Sequence, residues 1–274
     1  MPSINTNVAA IKARSNLDRV QRDLDTSIAR LSSGKRITRA HDDAAGQAIA
    51  GRMESQVRGL TMGVRHAKDG QSLVDTQEGA LQEVAGILQR MRELAVQKAS
   101  GVAVSADQDY LNLEMTALTN ELDAISANTK FNGTTVMSTA YNFLTDIDAS
   151  GTAIAVTEGT MGQTALAVNM AVVSIASGST VTITSVLTSI DAGLATVANR
   201  RATLGAVSNR FDHVIDNLTN VIANTEAAKS RVEDADFAVE TTQLTRNTVL
   251  QQAATSMVAQ ANASKNSILA LIQG

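Results

Sequence analysis

A heptad pattern of apolar residues runs through the second half of the chain and restricts its fold more than any other feature. The pattern keeps alternating steps of three and four residues for six repeats. This spacing is typical of a coiled-coil seam, in which one long helix packs along another. Its positions are Ile190, Leu194, Val197, Arg201, Leu204, Ser208, Phe211, Ile215, Leu218, Ile222, Thr225, Lys229 and Val232. The sequence therefore predicts one long helix that needs another helix beside it.

The first half of the chain supplies candidates for that second helix. The single proline is Pro2, so no later residue removes a backbone donor from a helix. A heptad that begins at Val57 predicts a helix to about residue 99, which would span roughly 65 Å at 1.5 Å per residue. A further helix is predicted over residues 106–129, where Leu111, Met115, Leu118, Leu122 and Ile125 follow strict 4-3-4-3 spacing. This helix should fold back on its predecessor, which gives a rod.

Both ends of the chain also predict helices. Near the amino terminus, apolar residues recur mostly at steps of three and four, and Gly34 follows as a helix-ending glycine. Asp42 and Asp43 are then placed to cap the next helix. Residues 241–274 carry two basic side chains and no acid, and they are dense in Ala, Gln, Ser and Thr. A segment of this composition needs protein contacts on several sides.

The middle of the chain has a different composition. Residues 131–199 contain no Lys or Arg, and apolar residues alternate with Thr or Ala over 152–157 and 181–184. This alternation predicts short strands. The predicted fold is therefore mainly α, with long coiled-coil helices in a rod-like bundle, paired terminal helices and a small β-hairpin-rich insert at about 134–188. The predicted domains are the terminal helices, 1–43 and 231–274, and a helical rod domain, 44–230.

Composition excludes several classes of function. There is no cysteine, and the three histidines do not form a metal-binding motif. Neither a nucleophile with a base nor a phosphate-binding glycine loop is present, so we expect no enzyme, no cofactor and no metal. Residues 1–40 hold eight Lys or Arg against three Asp, but without aromatic stacking residues this favours a solvated helix face over nucleic-acid binding. No apolar run or leader segment predicts a membrane span or conventional secretion.

The terminal segments raise an energetic problem that favours self-assembly. Ordering their 87 residues costs on the order of 90 kcal/mol of backbone entropy, at about 1 kcal/mol each. Two Ala-rich helices cannot offset this alone, because isolated helices are marginal in water. Other copies of the protein offer the missing surface, through heterologous contacts that generate an open helical filament. The residues expected on these polymerisation helices are Ile4, Val8, Ile11, Leu17, Leu24, Leu31, Leu244, Leu250, Met257, Ile268 and Leu271.

Both halves of the chain contain short motifs in a fixed order. In the first half they are Ile4-Asn-Thr-Asn7, Leu31-Ser-Ser-Gly34, Asp42-Asp-Ala-Ala-Gly-Gln-Ala-Ile-Ala50, Asp69-Gly70, Glu78-Gly-Ala-Leu81, Leu88-Gln-Arg-Met-Arg-Glu-Leu-Ala-Val-Gln97 and Lys130-Phe-Asn-Gly133. In the second half they are Leu204-Gly-Ala-Val207, Asn209-Arg-Phe211, Ser230-Arg-Val-Glu-Asp-Ala-Asp-Phe237, Leu250-Gln-Gln-Ala253 and Ala259-Gln-Ala-Asn262. Together these motifs resemble those of bacterial flagellins, and the resemblance covers roughly residues 1–140 and 188–274.

This resemblance implies a structural subunit of the extracellular flagellar filament, with the terminal helices in the filament core, where they line the central channel. It also implies that the chain is exported unfolded by a type III system and interacts with a flagellar export chaperone, a cap and hook-associated proteins. Family members carry variable outer domains in the middle of the chain, and only about 47 residues, 141–187, remain for them here. We therefore expect a short flagellin.

The family resemblance further implies a surface for a host Toll-like receptor. The three positions that it assigns to this contact are Arg90, Leu94 and Glu114. Packing between subunits is the primary role that we expect for the same residues, with receptor binding as a further role in a host that meets the bacterium.

Two other identities remain open at this point. A hook-filament junction protein shares the terminal helices of flagellins, although it typically diverges in the rod motifs. A signalling or scaffolding coiled coil is also rich in Ala, Gln, Ser and Thr, but the β-rich insert argues against it.

Overall fold

The protein is mainly α-helical, as a computed structural model describes it for residues 6–99, 105–144, 153–156 and 183–273. The helices are α1 (Val8–Ser33), α2 (Ala44–Ala99), α3 (Ser105–Asn128), α4 (Ile183–Glu233) and α5 (Phe237–Gln273). The strands are β1 (Lys130–Phe131), β2 (Thr134–Thr135), β3 (Tyr141–Leu144) and β4 (Ala153–Val156). The fold class predicted from the heptads is confirmed.

The chain divides into two compact units. The terminal unit consists of Met1–Ser55 and Asn224–Gly274, and the central unit consists of Gln56–Ala223. The long helices α2 and α4 contribute residues to both. The domain boundaries predicted from the sequence lie after residue 43 and before residue 231.

In the terminal unit, α1 packs along α5. The Asn7 side chain caps α1 by accepting a hydrogen bond from Ala10 N at 3.0 Å, and its amide donates to Ala261 O at 3.0 Å. At the other end, Gly34 has a φ of 71° and donates its N–H to Arg30 O at 2.8 Å. A side chain at this position would be strained, which is why a glycine closes the helix. The predicted end of the first helix is confirmed.

The two connectors of the terminal unit pair with each other. Arg36 N donates to Glu233 O at 2.6 Å, and Ala235 N donates to Gly34 O at 2.9 Å. The Lys35 ammonium adds an ion pair with the Glu233 carboxylate, again at 2.6 Å. These bonds satisfy backbone groups at the ends of α1 and α4 that the helices leave free.

The adjacent acids Asp42 and Asp43 have separate roles. Asp43 Oδ1 accepts from Gly46 N at 2.9 Å, which is the helix-capping bond expected at the start of α2. Asp42 instead closes the preceding turn, since its Oδ2 accepts from Thr38 N at 3.1 Å, Thr38 Oγ1 at 2.9 Å and Arg39 N at 3.1 Å. The capping prediction is therefore right for Asp43, whereas Asp42 holds the connector.

In the central unit, α2 and α4 run antiparallel. Three polar pairs join them: Gln71 Nε2 to Asp212 Oδ1 at 2.9 Å, Arg201 NH2 to Glu78 Oε1 at 2.7 Å, and Arg92 Nε to Asp191 Oδ1 at 2.8 Å. Numbers rise along one helix as they fall along the other, as an antiparallel pair requires. The apolar seam beneath them contains Leu73, Leu81, Val84, Leu88, Met91, Ile190, Val197, Leu204 and Phe211, all buried.

Two small hairpins follow α3 in the same unit. The strands β1 and β2 pair antiparallel through a two-residue turn, Asn132-Gly133, with φ values of 50° and 82°. Positive φ at both positions is what a type I′ hairpin turn requires. The strands β3 and β4 pair from Tyr141↔Val156 to Leu144↔Ala153, and they bury Ile154 and Val156.

Part of the predicted insert differs from the structure. The strand predicted over 152–157 is confirmed as β4, but residues 183 and 184 begin α4, and 181–182 lie outside the described residues. The strand prediction for residues 183 and 184 was wrong because these residues begin a helical pattern. Ile183, Val186 and Ile190 are spaced at steps of three and four, and Val186 and Ile190 are buried on the seam. The sequence analysis also missed β1 to β3, although Asn-Gly is a strong hairpin signal.

Candidate assembly and contact surfaces

The terminal helix pair leaves large apolar side chains in solvent. On α1, Val8 is 51% exposed and Ile11 is 58% exposed; on α5, Met257 is 64% exposed. Leu250 is exposed as well, whereas Leu17, Leu31 and Leu244 are half-buried and Leu24 is buried. Ile4 lies outside the described residues, as do the side chains of Ile268 and Leu271. Exposed apolar side chains on a helix pair are typical of a surface that binds another protein.

Among the described side chains of this pair, four more large exposed apolar residues are absent from the predicted polymerisation residues. They are Ile28, Phe237, Val239 and Val249. Phe237 is the first residue of α5 and one of only four phenylalanines in the chain. Asp236 caps this helix, because its Oδ1 accepts a hydrogen bond from Ala238 N at 2.8 Å. An aspartate directly before an aromatic residue is the sequence signal that could have placed Phe237 at the start of the helix.

Polar contacts fix the alignment of α1 against α5. Arg30 NH1 lies 3.0 Å from Glu240 Oε1, and Glu240 is only 7% exposed. Further along, Gln251 Nε2 donates to Gln21 Oε1 at 2.5 Å. An ion pair that is this well covered disfavours other alignments, because sliding one helix would leave the carboxylate without its cation.

The central unit carries the residues that the family resemblance assigned to a receptor. Arg90 Nε donates to Glu114 Oε1 at 2.9 Å, which ties α2 to α3, and Arg90 NH1 lies 3.0 Å from Glu93 Oε2. The hydrogen bonds that Arg90 donates to Glu114, and then to Glu93, raise the pKa of the Arg90 guanidinium above its ordinary value. About half of each side chain in the Arg90–Glu114 pair is exposed. This ion pair is a partly exposed surface feature of the central unit.

Leu94 does not share that surface. It is 1% exposed and belongs to the apolar core of the central unit. Arg90 and Glu114 thus lie together on the surface and Leu94 does not, while the contact role of these residues stays a prediction. One turn of helix separates Arg90 from Leu94, but the buried stripe of α2 includes Met91, Leu94 and Ala95.

Among the described residues, no group of three or more His, Cys, Asp or Glu side chains could hold a metal ion. None of the helices, as far as they are described, is long and apolar enough to cross a membrane.

Comparison with protein families decides the identity. Residues 4–142 match the bacterial flagellin N-terminal helical region, and residues 187–272 match the bacterial flagellin C-terminal helical region. The chain belongs to the bacterial flagellin family. It is a structural subunit of the extracellular flagellar filament, in which flagellin assembles with copies of itself, and it is not an enzyme.

Two named relatives, at 39% and 37% identity, agree with this assignment. A flagellin of Halalkalibacterium halodurans is 39% identical over 272 residues, which cover 98% of this chain and 99% of the relative. A flagellin of Bacillus subtilis is 37% identical over 302 residues, with 98% and 99% covered. A crystal structure of Bacillus cereus flagellin is 29% identical, covers 60% of this chain and 94% of its own, and has a TM-score of 0.47. Neither the family matches nor these two relatives favour a hook-filament junction protein.

Proposed function

We propose that this flagellin polymerises through the α1/α5 pair, so that residues 1–43 and 231–274 form the filament core and line its channel, while residues 44–230 form the rod domain. The observation that carries the proposal is the exposure of large apolar side chains on both helices, Val8, Ile11 and Met257 above all. Full burial of such a side chain contributes about 1.5–3 kcal/mol, so several half-exposed ones supply a substantial driving force for association.

The exposed apolar side chains of α1 and α5 also affect how the subunit behaves before assembly. Exposed apolar helices aggregate or mispair unless they are covered or unfolded. This favours export of the chain in an unfolded state through a type III system, with a flagellar export chaperone as an early partner and cap and hook-associated proteins as partners at assembly. The absence of cysteine from the sequence is compatible with such passage, since no disulfide has to be broken or formed.

Seeded polymerisation tests the proposed interface. Full-length protein and a variant that lacks residues 1–43 and 231–274 are each mixed with filament fragments and examined by electron microscopy. We expect the full-length protein to elongate the seeds and the truncated variant to stay soluble and helical without elongating them. Elongation by the truncated variant would contradict the proposal.

We infer a second contact surface at Arg90 and Glu114, which would face a host Toll-like receptor. Support comes from the exposure of this ion pair and from its fixed geometry, in which Glu114 holds the guanidinium at 2.8 Å. A pre-oriented charge pair can contribute specificity to a partner of complementary charge. Leu94 would act indirectly, by holding α2 against the core, because its own side chain is buried.

A matched pair of arginine variants tests this surface. Arg92 is also exposed and ion-paired, with Asp191, so Arg92→Ala serves as the control for Arg90→Ala. We expect monomeric Arg90→Ala protein to lose receptor-dependent cell activation while Arg92→Ala retains it, with both still elongating filament seeds. Equal activation by wild type and Arg90→Ala would overturn the assignment.

A further inference from the structure

The turn between β1 and β2 presents an exposed Asn-Gly dipeptide with an unobstructed backbone, a combination that favours a spontaneous chemical change. Asn132 and Gly133 are both exposed, and they form the only Asn-Gly dipeptide in the chain. Both residues have positive φ values, 50° and 82°. Gly133 has no side chain to obstruct its own backbone nitrogen, and a Cβ built on it would meet nothing within 4 Å. The backbone around the Asn132 amide is therefore open to solvent.

We propose that Asn132 is a site of deamidation through a succinimide intermediate. The Gly133 backbone nitrogen, after losing its proton to solvent base, attacks Asn132 Cγ and forms the new ring bond. The bond from Cγ to the side-chain nitrogen breaks, and that nitrogen takes up a proton and leaves as ammonia. Water then opens the ring at either carbonyl, which yields aspartate or isoaspartate at position 132.

Backbone hydrogen bonding distinguishes this site from other positions with related chemistry. Asp69-Gly70 could also form a succinimide, but it lies inside α2, where the Gly70 nitrogen is held by the helix and the residue is buried. Asparagines such as Asn120 and Asn209 are likewise within helices. In a two-residue hairpin, by contrast, only the residues that flank the turn are hydrogen-bonded to each other, which leaves the Gly133 nitrogen to solvent.

The product would alter the tip of the hairpin and leave its base in place. Aspartate adds a negative charge, and isoaspartate also adds one methylene group to the backbone, which disrupts the Phe131↔Thr134 pairing next to the turn. Beyond the tip, Val136 N donates to Thr129 O at 3.1 Å, and Gln77 Nε2 donates to Val136 O at 2.5 Å. These two bonds anchor the segment to α2 and α3. In an extracellular filament the change would accumulate with age, because intracellular repair enzymes cannot reach it.

Ageing of the full-length protein at mildly alkaline pH tests the proposal. Isoaspartate is labelled with an isoaspartyl methyltransferase and located by peptide mapping, in native protein and in protein unfolded by urea. We expect native protein to acquire the label at position 132 on the order of tenfold faster than at the helical asparagines, which corresponds to about 1.4 kcal/mol in barrier height. Asn132→Gln should remove the label, and the control Asn120→Gln should leave it unchanged.

Two results would overturn the proposal. One is labelling of the native protein that is no faster at position 132 than at the helical asparagines. The other is labelling at position 132 in urea but not in the native state, because the folded turn would then protect the amide. Neither result bears on polymerisation, which the seeded assay measures separately.

Discussion

Phe211 lies directly over Gly70, so close that a Cβ on this glycine would be 2.5 Å from Phe211 Cζ. Phe143 of β3 completes the contact, with its ring edge-on to Phe211 at a centroid distance of 5.8 Å. A glycine in the middle of a helix costs stability, and here it is retained because it makes room for the largest fully buried side chain. This contact joins α2, α4 and the second hairpin of the central unit.

Gly70→Ala should therefore destabilise the central unit by about 1–3 kcal/mol, the usual cost of overpacking a filled core. The matched control is Gly79→Ala, on the same helix, where an added Cβ meets nothing within 4 Å. That variant should gain about 0.5–1 kcal/mol from helix propensity. Urea unfolding of monomeric protein, followed by circular dichroism, measures both. Equal effects of the two substitutions would contradict the close contact.

Leu94→Ala should cost about 2–5 kcal/mol, because it leaves a cavity in the core. Leu113→Ala serves as the control, since Leu113 is 68% exposed and its loss should stay within about 0.5 kcal/mol. Thermal and urea unfolding of the two monomers measure the difference. If Leu94→Ala were as stable as wild type, Leu94 would have to lie on the surface, as the family resemblance alone implied.

The connector between α1 and α2 should be sensitive to acid. The hydrogen bond from the Thr38 hydroxyl, together with backbone bonds from Thr38 and Arg39, lowers the pKa of Asp42. A lowered carboxyl pKa in the folded state stabilises the fold above the unfolded-state pKa of about 3.9, and that contribution is lost as the pH falls through the folded-state pKa. Asp42→Asn should thus be less stable than wild type at neutral pH.

This difference should disappear at a pH below the folded-state pKa, where the wild-type carboxyl is protonated. The measurement is unfolding of wild type and Asp42→Asn across the acid range. A difference in the free energy of unfolding that stayed constant with pH would show that the charge of Asp42 has no part in holding the connector.

Phe237→Ala should weaken polymerisation more than it weakens the monomer. Phe237 is 59% exposed on α5, so its removal leaves little cavity in the subunit. If a neighbouring copy covers the ring, the loss of about 1 kcal/mol per contact should raise the critical concentration for elongation several-fold. Seeded elongation measured by light scattering provides that value. An unchanged critical concentration would place Phe237 outside the interface.

The sequence predicted the helical elements well because their heptads are long and uninterrupted. Phe211 and Leu204 were placed on the seam from spacing alone, and both are buried. The position of Leu94 could not be derived in this way. A helix of 3.6 residues per turn drifts against a 3.5-residue repeat, so the buried stripe does not keep to the heptad positions. In addition, α2 packs against α3 as well as α4. The buried stripe of α2 therefore includes Met91, Leu94 and Ala95.

The features that the sequence did not predict are individual contacts, some distant along the chain and some local. Nothing local distinguishes Gly70 from the exposed Gly79, because the difference lies in Phe211, far away in sequence. Similarly, Asp42 and Asp43 are adjacent and chemically alike, yet one binds the connector and the other caps a helix. Hydrogen bonds of this kind depend on where the chain turns, which periodicity does not encode.

Hydrogen exchange distinguishes whether α1 and α5 form the interface between subunits. Backbone amides of residues 8–33 and 237–273 are followed by mass spectrometry in the monomer and in the assembled filament. We predict slow exchange in the filament and much faster exchange in the monomer over both helices, because neighbouring copies cover them only after assembly. Equal exchange rates in monomer and filament over these residues would contradict the account.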